Sequence, residues 1–133
     1  MSAGNGPTPI RLVFLSDLPG IKVGTKVRFL GCVEHYSNDT GELVLKHDLQ
    51  NSQAPNVFAC VNIDLVLSSM TWSDFSIGEW INIVGYIVEA KNGRKSSTIK
   101  RVDVQAILLW SAGAINLVEY EESLREHLQL MEK

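Results

Sequence analysis

Two stretches of this chain are the same strand written twice. "VGTKVRFLGCV" (Val23–Val33) lies over "IGEWINIVGYI" (Ile77–Ile87), matching Gly24 with Gly78, Val27 with Ile81, Phe29 with Ile83, Gly31 with Gly85 and Val33 with Ile87. Both alternate with a period of two, the mark of a strand with one buried face. Each opens on a glycine and carries a second one mid-strand, where a glycine marks a bend, a bulge or a close approach of backbones. The chain has 133 residues, the length of one domain with a real core. Both copies therefore serve the same core.

Three further stretches complete a set of strands. The spacing predicts the first strand at about Thr25–His35, then a turn at "SNDTG". The second is Glu42–Asp48, with Leu43, Leu45 and His47 on one face. The third is Asn56–Leu67, alternating Val57, Ala59, Val61, Ile63 and Leu65. "LSSMTWSDFSIG" has no period of two and suits a short helix or an irregular plug. The fourth strand spans Glu79–Ala90 and is joined through an Asn92-Gly93 hairpin turn to the fifth, Thr98–Trp110. On the fifth, Val102, Val104, Ala106, Leu108 and Trp110 share the core face, and the phase of Ile99 suggests a bulge near Lys100–Arg101. Ahead of all five, "IRLVFLSDLPG" has room for one short strand before a Pro19-Gly20 turn.

Five strands broken between the third and fourth have the order of an OB-fold, a five-stranded Greek-key barrel. In that order the first and fourth strands are neighbours, which accounts for the duplicated pattern. Gly31 and Gly85 are then expected at bends of a narrow barrel, and Gly24 and Gly78 at the turns leading in. The predicted fold is all-β, a single OB barrel with a C-terminal α-helix. Residues 1–9 are expected as a flexible lead, 10–112 as the barrel and 113–133 as the helix.

The helix has a clear start and a clear face. Asn116 followed by Glu119 resembles a capping box, and acids crowd the first turn, where the helix dipole favours them. Leu117, Tyr120, Leu124, Leu128 and Met131 form one apolar stripe. The fourth and fifth strands also look apolar on their second faces, through Trp80, Val84, Tyr86, Val88, Ile107 and Leu109. Something has to cover such a face. Either the helix folds back over its own barrel, or it also meets a helix of another chain, with Tyr120 and Leu124 central and Arg125 at the rim.

Composition narrows the functional classes. No phosphate-cradling glycine loop, Gly-x-Ser-x-Gly elbow or His-Glu-x-x-His helix is present, so a non-catalytic protein with no cofactor is expected. Cys32-x-x-His35 is half a metal pattern that Cys60 and His47 could complete, but odd spacing on a strand points Cys32 and His35 to opposite faces, so no metal site is expected. The cysteines suit reduced, buried thiols of an intracellular protein. No apolar run approaches the ~20 residues of a membrane span.

Net charge is -3, yet its distribution favours a nucleic-acid partner. From Glu119 onward the tail holds five acids and two bases, leaving ten of each in residues 1–118. Five of those ten bases, Lys91, Arg94, Lys95, Lys100 and Arg101, run without an intervening acid. A phosphate backbone responds to local charge. Lys26, Arg28 and Lys46 project opposite the core residues, and His35 and Tyr36 are placed for stacking in the first loop. Such a set suits weak binding of single strands, or else an ordinary solvated surface.

Four strings go further. "FLSDLP" (Phe14–Pro19), "KVRFLGCV" (Lys26–Val33), "GEWINIVGYI" (Gly78–Ile87) and "VQAILLWSAGAINLVEYEESL" (Val104–Leu124) closely resemble the fungal family of Ten subunits, the smallest subunits of the CST telomere-capping complex. The resemblance runs from about Pro7 to Leu130. It implies an OB-fold protein that pairs as a heterodimer with the N-terminal OB domain of the Stn subunit, in an assembly with a third CST subunit. It further implies a place in the nucleus, at chromosome telomeres, protecting single-stranded telomeric DNA. Partner contacts would fall on the helix, here Leu117, Tyr120, Leu124, Arg125, Leu128 and Met131. The alternatives are a small subunit of a replication protein A-like complex, and a scaffold that does not touch DNA.

Overall fold

The computed structural model describes residues 9–37, 39–49, 56–67, 76–90 and 99–131. Strand β1 (Arg11–Leu12) is followed by a 3-10 helix (Leu15–Gly20). Then come β2 (Lys26–Ser37), β3 (Glu42–Lys46), β4 (Asn56–Asn62), β5 (Trp80–Val88), β6 (Ile99–Ser111) and helix α1 (Leu117–Met131). The sheet runs β1-β2-β3-β4-β6-β5 and closes because β2 also pairs with β5. This is the expected five-stranded OB barrel, with β1 added in parallel beside β2.

β2 achieves closure by serving two neighbours. Its first half pairs with β5, from Lys26↔Tyr86 to Cys32↔Trp80, and its second half with β3, from Cys32↔Lys46 to Ser37↔Glu42. Gly31 lies at the changeover. A Cβ there would come 2.9 Å from Leu45 Cβ and 3.0 Å from Leu15 Cδ1, so the missing side chain is what admits the plug. Gly85 serves a tighter approach, since its Cβ would collide with the backbone carbonyl of Gln105 on β6. Gly24 and Gly78 turn the chain into β2 and β5 at φ of 95° and 92°.

The core is formed by Val27, Phe29, Leu43, Leu45, Ala59, Val61, Ile81, Ile83 and Val104 from the strands, with Leu15 and Leu18 entering from the 3-10 helix. The Pro19-Gly20 turn is thus the end of a helical plug. Asp17 holds its start by accepting the Phe14 N–H at 3.3 Å. The segment expected to supply a plug lies largely, at 68–75, outside the described residues, as do the 91–98 hairpin and most of the 1–9 lead.

Three departures from simple alternation matter for the surface. β4 ends at Asn62 and does not continue to Leu67: the Asn62 side chain accepts the Asp64 N–H at 2.9 Å, an Asx turn that leaves Leu65 exposed. On β2, Val33 faces Leu45 while His35 faces Val44, so Glu34 is an extra, bulged residue. On β6 the expected bulge at Lys100–Arg101 is absent, because pairing with β4 runs unbroken from Ile99 to Gln105. The bulge is at Ile107 instead, between Ala106↔Gly85 and Leu108↔Val84. It reverses the phase: Leu109 packs against the core, while Leu108 and Trp110, expected inside, turn outward.

Candidate nucleic-acid and partner surfaces

The bases expected to meet nucleic acid fall on two separate faces. Lys46 and Arg101 lie with β3 and β4, the face OB-folds use for single strands, and both are held by acids. Lys46 Nζ stands 3.4 Å from Asp48 and 3.7 Å from Glu34, and Asp48 first, then Glu34, push its pKa up. Arg101 reaches the Asp103 carboxylate at 3.1 Å through both Nε and Nη2, and Glu42 at 3.7 Å. Asp103 is buried, which anchors the pair. Lys100 is exposed but in register with core-facing Val57, so it lies on the opposite side of β6 from Arg101, and Lys91, Arg94 and Lys95 lie outside the described residues.

The aromatic groups of this face differ from the sequence expectation. The Glu34 bulge sets Tyr36 opposite Leu43, so its ring is half-buried against the core and is not a free stacking platform. His35 remains exposed. Phe58 is half-buried on the outer side of β4, in register with Arg101. The alternation of Val57 and Ala59 around it was the signal for that position.

The same bulge changes the cysteine geometry. Cys32 faces Lys46 and His35 faces Val44, so both project outward and not to opposite sides. Among the described residues no three His, Cys, Asp or Glu side chains converge as metal ligands. Cys60 is buried, and its thiol is pushed up to about 11, chiefly by that burial. His47 is packed under α1, against Glu121 and Trp80.

Lys26 and Arg28 occupy the second face, on the first half of β2. Each is set over an aromatic ring: Lys26 Nζ lies 6.0 Å from the Tyr86 centroid, and Arg28 Cζ lies 5.1 Å from that of Trp110.

Helix α1 begins as its sequence requires. Asn116 Oδ1 accepts the Glu119 N–H at 3.2 Å, and the Asn116 carbonyl accepts from Tyr120. The stripe then divides. Leu124 is 3% exposed, and Leu117, Tyr120 and Leu128 are half-buried, although no second chain is present. The helix therefore folds back over its own barrel. Burial pushes the Tyr120 hydroxyl pKa up, with Arg28 opposing. Arg125 is exposed, 3.9 Å from Glu121 and 6.0 Å from the Phe14 ring centroid. Met131, with Leu128, borders a groove of about 640 Å³ shared with Ile10, Leu12 and Ile21.

Glu121 of α1 is no solvated helix charge: it is 3% exposed and lies 3.0 Å from His47 Nε2. His47 is itself ringed by Phe14, Trp80 and Tyr120 at centroid distances of 6.1, 5.0 and 6.2 Å. Burying a carboxylate is tolerable only with such a partner. Val118, exposed at the start of α1, and Leu130, exposed near its end, are apolar surface outside the predicted stripe.

Known proteins match this chain over nearly its whole length. A family model described as Ten1, a telomere-capping CST complex subunit, matches residues 1–125. Protein ten1 of Schizosaccharomyces pombe is 30% identical over 118 residues, spanning 87% of this chain and 91% of that protein. The crystal structure of the S. pombe Stn1-ten1 complex contains a chain matched at a TM-score of 0.65 with 29% identity, covering 93% of this chain and 96% of that one. An asparaginyl-tRNA synthetase of Entamoeba histolytica matches at a TM-score of 0.55 with 10% identity, over 83% of this chain and 25% of its own. That last likeness extends to the fold alone.

Proposed function

Because this chain belongs to the Ten1 family of telomere-capping CST complex subunits, we propose that it is the small, non-catalytic partner of a Stn-type subunit in the nucleus. The pair, joined by a third CST subunit, holds and protects single-stranded DNA at chromosome ends. The observation that carries this reading is the near end-to-end correspondence, in sequence and in fold, with the ten1 chain of a Stn1-ten1 complex.

On this reading α1 contributes to pairing through Arg125, Met131 and the parts of Leu117, Tyr120 and Leu128 that the barrel leaves uncovered, with Leu124 holding the helix on the barrel. Lys100 supplies direct phosphate contact, as do Lys91, Arg94 and Lys95 shortly before it in the sequence. Lys46 and Arg101 contribute less, since each would have to leave an acid. Co-expression with the Stn-type subunit of the same organism tests the pairing: a stable one-to-one complex is expected, and two separately eluting chains would end this reading.

One observation favours a second reading, a scaffold without DNA contact: the acids already engage Lys46 and Arg101 on the usual OB face. Charge reversal of Arg94 and Lys95 in the assembled complex separates the two. Each lost phosphate contact lowers the single-strand salt slope by about 0.7. An unchanged slope and affinity would favour the scaffold.

A further inference from the structure

We propose that the groove between β1 and the end of α1 takes an extended, acidic peptide segment of another protein, added as a strand to the free edge of β1. The sheet ends at β1, which pairs with β2 and with no other strand among the described residues. In a parallel ladder, alternate residues bond to the neighbouring strand. The Val13 N–H donates to the Arg28 carbonyl at 3.0 Å, so Arg11 and Val13 face β2, and Leu12 turns its N–H and carbonyl the other way. Among the described residues no hydrogen bond reaches either group. Such an edge is a template for an incoming strand.

The groove has the size and the lining for such a guest. Its volume of about 640 Å³ falls within the ~300–1,000 Å³ of ordinary ligand sites. Ile10 and Met131 line it and are 49% and 70% exposed, so both have apolar surface to bury against a guest. Charge selects the side chains. Arg11 and His127 also line the groove, and neither has an ion-pair partner among the described residues. The acid that lines it, Asp17, already accepts the Phe14 N–H. The groove thus offers a cation without a counter-charge, on a chain whose net charge is -3. A strand that alternates apolar and acidic residues matches all three features, since its side chains point to opposite faces. Its backbone completes Leu12, one face covers Ile10 and Met131, and a carboxylate meets Arg11. A nucleic-acid strand has no main-chain amides to extend the ladder, which favours a peptide here.

The test uses the full-length chain, alone and paired with its Stn-type subunit, and two fluorescent octapeptides that alternate valine with glutamate or valine with lysine. The glutamate peptide is expected to bind the free chain and the pair alike and to slow exchange of the Leu12 amide. It should bind about five-fold tighter than the lysine peptide. Arg11→Glu should reverse that preference with the melting temperature nearly unchanged, because Arg11 is exposed, and Met131→Asp should weaken binding of both peptides. Binding of neither peptide at millimolar concentration would overturn the proposal, as would equal affinity for the two or an unprotected Leu12 amide. Displacement of the glutamate peptide by the Stn-type subunit would assign the groove to the pairing surface and end the proposal as well. The readings on the free chain do not depend on pairing, so this proposal and the capping reading can fail separately.

Discussion

His47 and Glu121, 74 positions apart, meet at 3.0 Å between Nε2 and Oε2 with both side chains almost fully buried. The contact ties the residue just past β3 to the first turns of α1, so the helix is keyed to the barrel as well as packed on it. His47 Nδ1 has no partner among the described residues, so Glu121 supplies the ring's polar satisfaction. Glu121→Ala is expected to cost about 1–3 kcal/mol, the penalty for a buried polar group left unpaired. His47→Phe with Glu121→Leu should recover part of that loss. Urea unfolding of the four chains of the cycle measures the coupling, and strict additivity would show that the contact does not operate in solution.

Leu124 is where the two roles of the helix separate. Because it is buried within the chain, Leu124→Ala should destabilise the isolated protein by about 2–4 kcal/mol, through lost transfer energy plus a cavity. A mutant that melts like the unmodified chain but no longer pairs would mean that α1 leaves the barrel to meet its partner.

The two mid-strand glycines should differ in their tolerance. Gly31→Ala presses on Leu45 and on the Leu15 side chain, which has some freedom to shift. About 1–3 kcal/mol of overpacking is expected. Gly85→Ala meets the Gln105 backbone, which cannot give without opening the β5–β6 ladder at its bulge. It should be the worse of the two in thermal melts, and the reverse order would contradict the close approach of β5 and β6.

Cys60 gives the fold an alkaline limit. Its thiol is raised from an ordinary value of 9.0 to about 11, first by burial, with Arg101 opposing. The native state thus favours the neutral thiol. The associated stability is complete below pH 9 and is lost as pH rises through 11. Melting temperatures should fall across that window, and less steeply for Cys60→Ala. Identical declines would place the effect on other groups.

The duplicated strand, the OB order, the helix and its Asn116 cap were legible because each is a local pattern: a period of two, a period of 3.6, a capping side chain. Pairing of the duplicated strands followed from the strand order alone, and the structure has it as β2–β5. Sequence periodicity could not show the two bulges. A bulge is fixed by two backbones meeting, at Glu34 and at Ile107, and each reverses the phase of everything beyond it. Hence Tyr36 turned toward the core, and Leu108 and Trp110 away from it. The acid partners of Lys46 and Arg101 combine neighbours in sequence with residues of other strands, and Glu121 acquired its histidine only when α1 folded back. The sequence by itself determined the barrel, its closing pair and its helix. Tertiary structure alone decided which side chains face out beyond each bulge and which charges are paired, because both depend on distances between segments far apart in the chain.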